Sequence, residues 1–118
     1  MVDRESDQNG AILISTFSDE KSLIDVSNRL VAEKGICACV NYAPIKSIYM
    51  WKSKLHHETE FLAFFKTTFD LAEKLKTEIE DNHPYDVPEV VLIKMSDVSS
   101  KYFEWMYENT HRYAMGIS

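Results

Sequence analysis

The chain has 118 residues, enough for one domain with a modest hydrophobic core. Its formal net charge is −6 and its pI about 5.1, which argues against nucleic acid as a partner because phosphate binding needs a basic face. Hydrophobic residues make up 45% of the chain, yet no apolar run approaches the ~20 residues of a membrane span. The first residues lack the apolar stretch of a secretory signal, and Cys37 and Cys39, two residues apart in a strand, are held too extended to bridge each other comfortably. We therefore expect a cytoplasmic protein with reduced thiols.

The first third of the chain predicts a strand, a helix and a second strand. Residues 1–10 are polar and predict a disordered tail, and the apolar residues 11–17 predict a buried strand. Ser18 can cap the following helix, which we expect to end at Gly35. Residues 36–42 are apolar on both faces and predict the second strand.

The middle of the chain predicts a broken extended segment and a third strand. Pro44 interrupts the pattern, and residues 47–51 resume it with aromatic side chains. Residues 55–59 are polar and predict a turn, and residues 60–67 predict the third strand.

The last third predicts a helix, a strand and an additional helix. Thr68 can cap the second helix, which we expect to end at Asn82 because Pro84 disfavours helical geometry at the residue before it. Residues 89–95 predict the fourth strand. Ser99 or Ser100 begins the last helix, and residues 111–118 form a C-terminal tail.

This order of elements predicts a single α+β domain over residues 11–110. Two βαβ halves that meet in one antiparallel sheet, with helices on one face, give the ferredoxin-like βαββαβ sandwich, here with an extra C-terminal helix and a long hairpin. The right-handed crossover rule leaves few other topologies.

The segment from His83 to Glu89 is the most unusual part of the sequence. Pro84 and Pro88 fix two φ angles and exclude helical geometry at the residues before them. Such a stiff connection holds an imidazole, a phenol and two carboxylates in one arrangement, which suits a binding site. Alternatively, the prolines only end the helix and begin an edge strand cleanly.

Several short motifs, in this order, together resemble the CutA family of divalent-cation tolerance proteins. The resemblance runs from about residue 11 to residue 109. The motifs are residues 33–41 (EKGICACVN), 47–51 (SIYMW), 65–67 (FKT), His83-Pro84-Tyr85 with Pro88-Glu89, and Tyr102-x-x-Trp105.

The resemblance implies a homotrimer held by strand pairing and long hairpins, with a trimer architecture like that of the PII signalling proteins. It also implies a part in tolerance of copper and other divalent metals. Lys66, Tyr85 and Glu89 match the family's most typical residues and are expected to line a cleft between subunits. We predict a wider ligand cleft that contains Lys66, Tyr85, Glu89, Trp51, Tyr102 and Trp105.

The residue at the end of the third strand has two interpretations from the sequence alone. Lys66 either reaches solvent past the strand end or faces an anionic ligand near Tyr85 and Glu89. The exposed segment of residues 48–51 leaves apolar rings and a strand edge uncovered, so we predict that it contacts a neighbouring subunit.

Thiolate, imidazole and carboxylate groups suit copper or another divalent metal, and Cys39, His83 and Glu60 are the candidate ligands. Each has an ordinary alternative: a buried cysteine is usually a small hydrophobe, and a histidine is common at a helix end. Some members of the family carry a cysteine where this chain has Ser15 and a second histidine where it has Asn82. Copper sites through those two positions are therefore not carried over intact.

The function predicted from the sequence is that of a trimeric protein of divalent metal tolerance that binds metal or small ligands between subunits. The alternative is a PII-like regulatory or scaffold trimer that binds a small anionic metabolite or a partner protein. We expect no enzyme, because the sequence contains no nucleophile–base motif and no HExxH motif. No membrane association is expected.

Overall fold

The computed structural model describes residues 9–112 of the chain. They form four strands and three α-helices in the predicted order. The elements are β1 (Gly10–Phe17), α1 (Glu20–Asn28), β2 (Cys39–Trp51), β3 (Lys54–Thr68), α2 (Ala72–Asn82), β4 (Val90–Lys94) and α3 (Ser100–Thr110). A π-helical segment (Arg29–Glu33) extends α1, and a 3-10 turn (Phe69–Leu71) precedes α2.

The strands form one antiparallel sheet in the order β2-β3-β1-β4, which confirms the ferredoxin-like fold. Both α1 and α2 pack on the same face of this sheet. The fully buried side chains of that interface include Leu13, Phe17, Phe65, Leu23, Leu30, Leu75 and Ile79. Strand alternation then puts a second set of apolar residues on the outer face of the sheet, opposite α1 and α2, where Phe64, Val91 and Ile93 remain 37–44% exposed.

The first helix begins one residue later than the sequence indicated. Asp19, not Ser18, is the N-cap, and its side chain accepts a 2.7 Å hydrogen bond from the backbone N–H of Ser22. A carboxylate at this position satisfies a free N–H and also favours the positive end of the helix. The end of the helical segment agrees with the prediction: Gly35 follows it with φ +63°.

The hairpin is longer and more continuous than predicted. β2 runs unbroken through Pro44, which is tolerated because β2 is an edge strand and the missing N–H costs no ladder bond on that side. The predicted turn at residues 55–59 is wrong, because these residues belong to β3. The chain instead reverses at Lys52 and Ser53, both with positive φ, as a two-residue hairpin turn requires.

The register shows that much of this hairpin projects beyond the rest of the sheet. β1 pairs with β3 only as far as Phe17 opposite Phe61, whereas β2 and β3 pair down to Trp51 opposite Lys54. The arm beyond Phe61 is therefore two-stranded and about 24 Å long, at ~3.4 Å per residue. Its protrusion agrees with a radius of gyration of 15.5 Å, since a compact domain of 100 residues has about 13 Å.

The predicted limits of the domain shift slightly at the N-terminus. Gly10 is the first residue of β1, and the carbonyl of Asn9 accepts a 2.7 Å hydrogen bond from the backbone N–H of Phe69, so both belong to the folded part. The rest of the predicted tails, residues 1–8 and 113–118, lie outside the described residues. Within residues 9–112 no helix is long and apolar enough to cross a bilayer.

Gly35→Ala should lower the free energy of unfolding by about 1 kcal/mol, because the left-handed backbone region is unfavourable for a side chain with a Cβ. An added Cβ would also lie 2.7 Å from Nη2 of Arg112. Urea denaturation at fixed protein concentration measures the loss. Gly35→Asn is the matched variant and should lose less, since asparagine tolerates this conformation; equal losses would contradict the backbone explanation.

Candidate functional site

A cleft of about 590 Å³ lies between the projecting hairpin and the loop that joins α2 to β4. Three of the six predicted cleft residues line it: Trp51, Tyr85 and Glu89. Glu60, predicted as a metal ligand, is also part of its wall. Glu60 directly precedes Phe61, the last residue of β3 that pairs with β1. The cleft therefore opens where the arm leaves the sheet.

His83 anchors the loop on the first strand. Because a carbonyl can only accept, Nε2 carries the proton and donates a 2.8 Å hydrogen bond to the carbonyl of Thr16. Nδ1 then accepts a 3.1 Å hydrogen bond from the backbone N–H of Tyr85, and the ring stacks on Phe17 at 4.2 Å. The backbone of His83 is extended, as Pro84 requires.

The electrostatics of His83 agree with this geometry. Burial is the main effect and lowers the pKa of the imidazole, while the bond to Thr16 and the charge of Glu60 oppose the shift. The folded ring is therefore neutral at neutral pH, and both nitrogens already hold protein partners. His83 acts here as a positioning residue for Tyr85.

Tyr85 and Glu60 form the hydrogen bond at the centre of the cleft. The phenol donates to Oε2 of Glu60 at 2.8 Å, and Glu60 is only 8% exposed. Burial of the ring, followed by the hydrogen bond and the charge of Glu60, raises the pKa of Tyr85 well above its usual value. The phenol therefore stays protonated and acts as a donor to the carboxylate.

The charge of the cleft is negative within one chain. Glu60, Asp86 and Glu89 contribute carboxylates, and among residues 9–112 no lysine or arginine lines the cavity. The apolar part of the wall is largely aromatic, with Tyr49 and Trp51 from the arm. This arrangement suits a positively charged or apolar ligand better than the anionic one that the sequence suggested for Lys66.

The other three predicted cleft residues lie at the far end of the sheet. Lys66 is six residues from Glu60 along β3, which corresponds to about 20 Å. It lies on the outer face of the sheet, directly opposite Cys39 of β2. Tyr102 on α3 interacts with Cys39, has its pKa raised first by burial and then by that thiol, and stacks on Trp105 at 5.6 Å. A single chain thus separates the predicted cleft into two groups of residues.

The predicted metal ligands do not converge within a chain. Cys39 lies at the Lys66 end of the sheet, whereas His83 and Glu60 lie at the cleft, and both nitrogens of His83 are occupied. Among residues 9–112 no three His, Cys, Asp or Glu side chains are grouped closely enough to hold a metal ion. Burial raises the pKa of Cys37 to about 12, so this thiol remains protonated and packs as a small hydrophobe.

Two positions that depart from the family pattern, Ser15 and Asn82, are not part of the cleft wall. Ser15 is fully buried in β1, and its hydroxyl has no hydrogen-bond partner within the described part of the chain. Asn82 ends α2 and donates a hydrogen bond to the carbonyl of Glu78. Neither side chain lines the cleft.

Sequence reasoning did not name several residues of the cleft wall. Asp86 and Val87 come from the rigid loop, and Tyr49 and Ile48 come from the aromatic segment of β2. Both segments were recognised as unusual in the sequence. What the sequence did not show is that they lie next to each other in the fold. Thr16 carries no sequence signal; it lines the cleft because β1 ends there.

The fold and the cleft define a class: a ferredoxin-like domain with a projecting β-arm and a ligand-sized cavity at its base. The family model described as "CutA1 divalent ion tolerance protein" matches residues 11–109. The chain therefore belongs to the CutA1 divalent ion tolerance protein family.

Similar proteins agree with this assignment. The chain is 37% identical to the divalent-cation tolerance protein CutA of Pyrococcus horikoshii, over 86% of this chain and 98% of that protein. It is 41% identical to the chloroplastic CutA protein of Arabidopsis thaliana, over 72% of this chain and 47% of that one. The crystal structure of CutA1 from Ehrlichia chaffeensis superposes with a TM-score of 0.83 at 31% identity, covering 87% of this chain and 96% of the other.

The lowered pKa of His83 predicts a loss of stability in mild acid. Below about pH 6.5 the unfolded imidazole takes up a proton that the folded ring resists, so the free energy of unfolding should fall between about pH 7 and pH 5. His83→Gln should flatten this part of the pH profile, as measured by urea denaturation. His57→Gln, on an exposed residue of the arm, is the control and should leave the slope unchanged. A wild-type slope retained in His83→Gln would contradict the assignment.

Proposed function

We propose that this protein acts in the cellular response to divalent cations, copper among them, as a homotrimer with binding clefts bordered by neighbouring subunits. The observation that carries the proposal is the projecting β-arm with its exposed apolar residues. Membership of the CutA1 divalent ion tolerance family supplies the connection to divalent cations.

The arm supports association because a projecting two-stranded ribbon has little stability of its own. A two-stranded ribbon in water is marginal at best, and this one exposes Ile48, Met50 and Leu55 by 61–68%. Strand β2 also presents a free edge. Contact with a neighbouring copy would bury the apolar side chains and pair the edge.

The outer face of the sheet, opposite α1 and α2, supports the same conclusion. Phe64, Ile14 and Val91 lie in one row across three strands, and Ile12 and Ile93 form the next. An antiparallel sheet tolerates water on one face when that face is polar, but five of the side chains on this face are large and apolar. Packing of these rows against the same rows of other copies fits a closed homotrimer.

Ile93→Asp should weaken the trimer, because it places a charge in the proposed interface. Sedimentation velocity at micromolar concentration should show smaller species than the wild type. Ile24→Asp is the matched control, since Ile24 is also partly exposed but lies on α1 at the opposite face of the sheet. A monomeric wild type, or equal behaviour of the two variants, would refute the trimer.

Metal binding is proposed at the Cys39 end of the sheet rather than through all three predicted ligands of one chain. Cys39 is partly exposed and lies on the face that a neighbouring copy would cover. A centre that contained both Cys39 and Glu60 would need two subunits, given their separation of about 20 Å along one chain.

Cys39→Ser should weaken copper binding, because a thiolate is a strong ligand for this metal. Isothermal titration calorimetry of the tag-free protein with Cu²⁺ and Zn²⁺ measures the change. Cys37→Ala is the control, since Cys37 is buried and its thiol stays protonated. No saturable heat with the wild type, or none lost in Cys39→Ser, would reject this part of the proposal.

The second candidate is a PII-like regulatory or scaffold trimer. The cleft volume of about 590 Å³ favours it, because pockets for small molecules have this size. An anionic metabolite would require Lys66 of a neighbouring copy, since the cleft of one chain is acidic. Thermal-shift measurements with metabolites distinguish this candidate from the first.

We further propose that the protein binds rather than catalyses. Tyr85 is held as a donor to Glu60 and His83 as a neutral anchor, so neither is free to exchange protons with a substrate. We place it in the cytoplasm on the basis of its sequence. The Arabidopsis relative is named as chloroplastic, so the compartment differs among members of the family.

A further inference from the structure

We propose that Asn9 is a modification site: its side-chain amide is lost to give aspartate or isoaspartate when the start of β1 opens, and the folded start of β1 holds this reaction back. The pair Asn9–Gly10 would thereby turn a transient opening of the fold into a permanent chemical change. The proposal depends on neither the trimer nor a ligand, because every contact that it uses lies within one chain.

The reaction is an intramolecular attack on the side-chain amide. The backbone nitrogen of Gly10 bonds to Cγ of Asn9, the bond from Cγ to Nδ2 breaks, and the proton of the nitrogen leaves with the ammonia. Water then opens the cyclic imide at either carbonyl, which gives aspartate or isoaspartate. A following glycine hinders the attack least, since it has no Cβ and a flexible backbone. Asn9 is the one asparagine of the chain that precedes a glycine.

The packing of α3 requires glycine at this position. A Cβ on Gly10 would overlap Sδ of Met95 and would lie 3.0 Å from Cε of Met106. These methionines belong to the small apolar cluster that holds α3 on the domain. A bulkier residue that slowed the reaction would therefore disturb this cluster.

The reacting atoms are already close in the fold. The backbone N–H of Gly10 donates a 2.9 Å hydrogen bond to Oδ1 of Asn9. Since Cγ is bonded to this oxygen at about 1.2 Å, the nitrogen lies within about 4 Å of the carbon that it would attack. Productive attack requires about 3–3.5 Å and the correct direction, so a small rearrangement separates the fold from the reaction.

The folded start of β1 prevents that rearrangement. The hydrogen bond keeps the proton on the nitrogen of Gly10 and directs it at the oxygen of the amide, whereas attack must reach the carbon from above the amide plane. The carbonyls of Asn9 and Gly10 accept hydrogen bonds of 2.7 and 2.9 Å from the backbone N–H groups of Phe69 and Met95, so the connecting peptide cannot rotate. Asn9 is also only 8% exposed, which keeps bases and water away. The reaction therefore needs local opening of this strand end.

The isoaspartate product cannot return to the original contacts. Its main chain runs through the side-chain carbon and is one atom longer at this point. The carbonyl at position 9 then cannot meet the N–H of Phe69 while Gly10 keeps its register with Thr68. Each opening that leads to reaction thus leaves the start of β1 detached from the turn before α2.

Mass spectrometry of peptides from aged protein tests the proposal on the wild type. The protein is incubated in mildly alkaline buffer, once folded and once unfolded in urea, and loss of the side-chain amide is followed at Asn9 and at Asn109, an asparagine that precedes threonine. In urea Asn9 should react much faster than Asn109. In the folded protein Asn9 should react at least about 10-fold more slowly than in urea, because the strand end is closed most of the time.

Three results would overturn the proposal. Equal rates at Asn9 in the folded and unfolded protein would show that the fold gives no protection. In urea, a rate at Asn109 equal to that at Asn9 would remove the role of the glycine, and no reaction at Asn9 would remove the site.

A pair of variants tests the contact that closes the strand end. Phe69→Pro removes the N–H that Asn9 accepts, and proline fits there because it begins the turn and Thr68 before it is extended, with φ −80° and ψ 151°. Phe69→Leu is the matched control, since it loses the ring but keeps the N–H. Asn9 should react about 5-fold faster in the folded proline variant than in the leucine variant, the factor that one net hydrogen bond provides. Equal rates would contradict the role of this bond, and the wild-type comparison does not depend on the folding of either variant.

Discussion

The hydrogen bond between Tyr85 and Glu60 joins the two parts of the molecule that the sheet alone does not hold together. It connects the loop after α2 with β3 at the point where the arm leaves the sheet. His83 supports it from behind by bonding Thr16 and the backbone of Tyr85. Since the carboxylate is buried, the phenol is needed for stability as well as for the shape of the cleft.

The length of β3 determines how the functional residues are distributed. One strand carries Glu60 at one end and Lys66 at the other, and the two ends differ in chemistry: carboxylates and aromatic rings at the first, an amine and a thiol at the second. A chain of this fold cannot bring them together by itself. Association of copies through the arm and the outer face of the sheet is the arrangement under which both ends would serve one site.

Much of the fold was predictable because local patterns and tertiary contacts agree. Gly35, Asn82 and Ser99 mark element ends in the sequence and in the structure alike. The arm was the main error. Its residues are exposed on both faces, so alternation gives no strand signal, and the polar residues 55–59 resembled a turn although they pair with β2.

The sequence by itself determined the family, the order of elements and the rigidity of the loop between His83 and Glu89, because prolines, glycines and apolar periodicity act over a few residues. Only the tertiary structure decided which side chains meet. It joined Trp51 and Glu60 to Tyr85 and separated all three from Lys66 and Cys39. The reason is that such contacts depend on strand register and on where β1 ends, and neither is encoded in a local motif.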